Sequence, residues 1–62
     1  MTSHLKIKNL THQGLEIVAK LPSGQFDHIW LESKQSVVIS ADAVTDLIRN
    51  IERRQMIKIT KV

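Results

Sequence analysis

The sequence predicts an α+β domain: a small antiparallel β-meander of about five strands with one helix in the C-terminal half, in the order β-β-β-β-α-β. Three observations predict it. Apolar and polar residues alternate with a period of two through most of the chain before Ser36. A Pro-Ser-Gly turn separates two of the alternating segments. From Ser36 onward the pattern runs from strand to helix and back to strand. The pattern fits either an open sheet or a partly open barrel. Residues 1–62 are expected to form one domain.

Leu5-Lys6-Ile7-Lys8-Asn9-Leu10 places Leu5 and Ile7 on one face and Lys6 and Lys8 on the other. Outward lysines discourage further pairing and are common on edge strands. Lys58 and Lys61 repeat the style in the last strand. One or both terminal strands are therefore expected at sheet edges, with pairing to each other a further option. Thr11-His12-Gln13-Gly14 reads as a turn in which Gly14 is free to take positive φ. In the next strand Leu15, Ile17, Ala19 and Leu21 face one way, and Glu16 and Lys20 the other with Val18 between them. Pro22 suits the first central position of a type I turn, and Gly24 the left-handed position that completes a bulged hairpin. The returning strand, Phe26 to Glu32, carries Phe26, His28 and Trp30 on one face and Asp27, Ile29 and Leu31 on the other. A strand apolar on both faces is expected in the middle of a sheet or covered on both sides, in part by another subunit.

Glu32-Ser33-Lys34-Gln35 makes the next turn, and the β-branched run Val37-Val38-Ile39 favours an extended backbone. Ser40 stands at the N-cap position of the helix, with Ile39 and Val44 spaced as a hydrophobic staple and Asp42 in the first turn. Val44, Leu47, Ile48 and Ile51 form one apolar stripe. Asp46, Arg49, Asn50, Glu52 and Arg53 form the solvated side, and Asp46 and Arg49 are spaced to pair. No glycine follows the helix, so Arg54 or Gln55 must absorb the turn at some cost. Ile57 and Ile59 then alternate with Lys58 and Thr60 in a final strand.

A chain of 62 residues builds a thin core. It has no cysteine, which excludes disulfides, thiolate metal sites and thiol catalysis. Phe26 and Trp30 are its only aromatic residues. Small scaffolds without such braces are often held by other chains, so a homo-oligomer or a place in a larger assembly is expected. No apolar run approaches membrane-spanning length, and no membrane partner is expected. The polar opening Met1-Thr2-Ser3-His4 lacks the apolar segment of a secretory signal, so the cytoplasm is the expected place of synthesis. His4, His12 and His28 lack metal-site spacing, and no serine, glycine or carboxylate motif of catalysis is present. Neither an enzyme nor a cofactor is expected.

Two binding classes remain. The net charge is +3. Lys6, Lys8, Lys58 and Lys61 can form a basic sheet face, and Arg49, Arg53 and Arg54 a basic helix end, as anion contacts of a small nucleic-acid-binding regulatory domain. A single-strand binder interleaves aromatics with such charges, whereas Phe26 and Trp30 lie on a different strand from the lysines. The other class is protein association. Trp30 serves either as core filler or as an interface anchor. Val18 and Met56 carry apolar side chains on faces otherwise read as outward, which makes Val18, Trp30 and Met56 the candidate interface residues. Exposed strand edges would also allow a partner to add a strand.

Four stretches carry a family likeness: Leu5 to Leu10, the Leu21-Pro22-Ser23-Gly24 turn, the Gln35-to-Asp42 entry into the helix, and the Arg53-to-Ile59 exit into the last strand. With these the chain resembles the small accessory proteins encoded among the structural genes of tailed bacteriophages and prophages. Similar chains often carry Gly just before the last strand, where this one has Gln55. The resemblance implies a multi-copy capsid, neck or tail component without catalysis, made in the host cytoplasm and carried in the virion. It assigns no site residues.

Overall fold

Five strands and one helix surround an apolar core in the computed structural model, which describes residues 3–62. The elements are β1 (His4–Asn9), β2 (Leu15–Lys20), β3 (Phe26–Leu31), β4 (Ser36–Ser40), a 3-10 turn (Ala41–Ala43), α1 (Asp46–Arg53) and β5 (Ile57–Lys61). The fold is α+β in the order β-β-β-β-α-β, and the sheet is not closed. The strands divide between two antiparallel sheets, one ordered β4-β1-β5 and the other the β2-β3 ribbon. Only β2 and β3 are thus both consecutive and paired, and a simple meander does not describe the connectivity.

The β5 strand lies at an edge and pairs with β1, as the terminal lysines suggest. In contrast, β1 is the central strand of its sheet, not an edge strand. Its lysines mark a solvated face, and one-sided alternation looks the same at the centre and the edge of a sheet with one wet face. Ile7 stands opposite both Val37 and Ile59, and is fully buried.

The core draws Ile7, Ile39 and Ile57 from one sheet and Ile17, Ala19 and Leu31 from the other. Ile48 of α1 completes it. Each fully buried branched side chain stabilises by about 1.5–3 kcal/mol relative to exposure. The helix packs against β2 and β5, closing one side of the gap between the sheets. On another side a cleft of ≈ 640 Å³ opens between the β2-β3 hairpin and β4, with Ala19, Ile29 and Ile39 among its apolar lining.

Asn9 is the one buried polar side chain among the described residues. Its Nδ2 donates to the carbonyls of Gln13 (2.8 Å), Leu31 (3.1 Å) and Glu32 (3.2 Å). Its Oδ1 accepts from the Thr11 amide at 2.9 Å and the Thr11 hydroxyl at 2.7 Å. One side chain therefore ties the end of β1 to its own turn and to the end of β3.

The helix starts later than Ser40 implies. The Ser40 hydroxyl accepts from the Asp42 amide at 3.2 Å and caps only the 3-10 turn. Val44 is extended, so the Ile39–Val44 staple has no helix to clip. Thr45 caps α1 instead: its hydroxyl accepts from the Ile48 amide at 3.3 Å and donates to the Val18 carbonyl at 2.7 Å. Within the apolar stripe, Ile48 is buried and Ile51 half-buried, while Leu47 is 55% exposed. Arg49 pairs with Glu52 at 3.0 Å and not with Asp46.

At the helix end Gln55 takes φ 63°, the left-handed position expected there. The Gln55 amide donates to Glu52 O at 2.9 Å and the Met56 amide to Ile51 O at 3.2 Å, the paired bonds of a Schellman motif. A side chain in this region costs free energy that glycine avoids. Gln55→Gly should therefore raise stability by about 0.5–1 kcal/mol, read as a melting temperature several degrees higher. A lower melting temperature would refute the assignment. Gly24, at φ 92°, closes the bulged hairpin as expected, with its amide bonded to Leu21 O at 2.9 Å.

Candidate functional site

Alternation along the ribbon sends Ile17, Ala19 and Leu31 into the core, so the opposite parity faces outward. That outer face carries Glu16, Val18 and Lys20 from β2, opposite Trp30, His28 and Phe26 from β3. Phe26 is 61% exposed and Trp30 58%. Trp30 is therefore not a core filler. The β3 strand is also neither central nor covered on both faces. Among the described residues its only strand partner is β2, and the core closes on Ile29 and Leu31 without its aromatic side.

The indole is held in place although it is exposed. Its Nε1 donates to Glu32 Oε1 at 2.9 Å. A Cβ built on Gly14 would overlap the ring, so the indole lies over bare backbone there. Gly14 is needed for this close approach and does not take positive φ. A ring fixed before binding loses little freedom on contact and offers a large apolar area. His28 Nδ1 lies 3.1 Å from Glu16 Oε1. Both side chains are more than half exposed, and such pairs contribute little to stability.

The hairpin fixes which backbone groups remain free. The Leu21 amide donates to Gln25 O at 2.8 Å, so these residues form a hydrogen-bonded pair. Such pairs alternate along an antiparallel ladder. Asp27, Ile29 and Leu31 consequently bond β2, and Phe26, His28 and Trp30 direct their N–H and C=O groups to the outer margin of β3. The same rule turns Val18 away from β3, and its carbonyl is the one that Thr45 binds. The β2 margin is thus engaged by α1, while no strand pairs with β3 on its other side among the described residues.

The other candidates distribute differently. Val18 is half-buried and lines a small cleft with Leu47, Asn50 and Ile51 beside α1. Met56 is half-buried on the turn into β5, away from the ribbon in sequence and sheet. Lys6, Lys8 and Lys58 share the outer face of the three-stranded sheet, with Lys8 directly opposite Lys58. Lys61 stands opposite Leu5 and falls on the other parity. Arg49 and Arg53 lie on α1. Lys6, Lys8 and Lys58 therefore lie on a different sheet from Phe26 and Trp30, and of the lysines only Lys20 stands beside an aromatic, opposite Phe26. Among the described residues no three His, Cys, Asp or Glu side chains come together as a metal site, and no helix is long and apolar enough to cross a membrane.

No family model, curated protein or solved structure matches the chain. The site rests on its own geometry. Sequence reasoning flagged Trp30 and Val18 but missed the role of Gly14 beneath the indole. It also missed Asn9, whose spacing to Thr11 is the signal of a side chain bonding its own backbone two residues on.

Proposed function

We propose that this chain is a structural or assembly protein that acts by binding other polypeptide chains, as a multi-copy capsid, neck or tail part of a phage-type particle. The observation that carries the reading is the exposed Phe26 and the exposed, pre-positioned Trp30 on a strand whose margin is unpaired. Large aromatics in that setting are typical interface anchors. The thin core and the likeness to phage accessory proteins support the same role.

Native mass spectrometry of the chain, purified gently with whatever accompanies it and kept concentrated, tests it by reading which polypeptides stay bound. The wild type should retain partner chains, its own copies or others. The double variant Phe26→Ala/Trp30→Ala should lose them at little cost in stability, within about 1 kcal/mol for exposed sites. A solitary wild-type chain, or a double variant that keeps every partner, would sink the reading.

A second reading is a nucleic-acid contact, favoured by Lys6, Lys8 and Lys58 on one sheet face. It requires binding that weakens steeply with salt and weakens further on Lys8→Glu. No shift of any oligonucleotide at low salt removes it.

A further inference from the structure

We infer that the partner at the β3 margin is a second copy of this chain, joined edge to edge by antiparallel β3–β3 pairing about a twofold axis at His28. The inference rests on the protein-binding reading above and names its first partner. Three features point to self-pairing. Phe26 and Trp30 lie two residues to either side of His28 and share its face. A twofold contact requires that if residue i meets residue j, then j meets i. Centring the pair on His28 sets Phe26 of each copy opposite Trp30 of the other, an aromatic cross-strand pair made twice.

The backbone agrees. Phe26, His28 and Trp30 carry the N–H and C=O groups that point to the free margin, so each opposed pair can exchange both hydrogen bonds. The charge order agrees as well. Lys20 stands beside Phe26 and Glu16 beside Trp30. Antiparallel pairing puts Lys20 of one copy in the same cross-strand row as Glu16 of the other, about 14 Å away across both β3 strands, whereas parallel pairing would put like charges in one row.

The joint is small. Phe26 and Trp30 are 61% and 58% exposed. A large aromatic buries about 150–250 Å², so the rings together contribute roughly 350–600 Å². A stable interface buries at least about 1,200 Å². The pairing is therefore weak and depends on concentration, or on neighbours that hold copies close.

The cysteine-free chain allows a direct test. Opposed residues in a hydrogen-bonded pair have Cα atoms about 5.5 Å apart, within disulfide reach. On mild oxidation at high concentration, His28→Cys should give a covalent dimer roughly tenfold or more faster than Val38→Cys, which reports on the β4 margin. Adding Phe26→Ala and Trp30→Ala to His28→Cys should remove that advantage, with circular dichroism confirming that each variant is folded. Folded His28→Cys that cross-links no faster than Val38→Cys overturns the inference. If partner chains are nevertheless lost on Phe26→Ala/Trp30→Ala, the protein-binding reading survives that failure. If they are not, both fall.

Discussion

Asn9→Asp should leave little folded protein at neutral pH. The exchange keeps size and shape but replaces a donor with an acceptor. The carbonyls of Gln13, Leu31 and Glu32 lose their common partner and face a carboxylate. An unsatisfied buried polar group costs about 1–3 kcal/mol, and an unpaired buried charge several more. A domain of this length has about 3–9 kcal/mol of stability in all. The expected loss is therefore on the order of the whole, at least about 4 kcal/mol, read by urea titration with circular dichroism. The pH dependence has a definite sign. Burial raises the introduced carboxyl above its unfolded pKa, so its neutral form fits the folded state better. The variant should be least compromised in acid and should lose stability as pH rises past about 4. Asn9→Ser, which keeps a donor, should fall between the variant and wild type. An Asn9→Asp protein that melts within a degree or two of wild type would show that the network is dispensable.

Ile48→Ala should cost about 2–5 kcal/mol, the usual range for deleting a fully buried branched side chain. Ile48 is the only residue of α1 with 0% exposure, and it meets core residues from both sheets. The helix has 8 residues, too few to persist without that anchorage. Hydrogen exchange should show loss of protection concentrated in α1 before the strands. Leu47→Ala is the control, since Leu47 is 55% exposed and its truncation should cost well under 1 kcal/mol. Equal losses at the two positions would mean that α1 presents a different face to the core.

The strands, their order and the hairpin were legible because each is written in local periods and turn residues. The cost at Gln55 was legible for the same reason, as the absence of glycine where a helix must end. The start of α1 was not. Ser40 and Thr45 are both good N-caps, and what separates them is the Thr45 bond to Val18 O, 27 residues away in sequence. The central place of β1 was hidden likewise, since lysines on one face say nothing about how many neighbours a strand has. Trp30 was left between core and surface because local pattern does not reveal which face of β3 the second sheet will cover. The free margin of β3 became visible only when the ladder could be followed from Leu21 and Gln25.

The Thr45 hydroxyl has a consequence for growth. By holding the Val18 carbonyl, it plugs one flank of the ribbon and leaves the other available. A ribbon open on both flanks can recruit copy after copy and run on into a fibre. With one flank stoppered, recruitment through β3 would end at a pair, and any larger array would have to be built through other surfaces of the molecule.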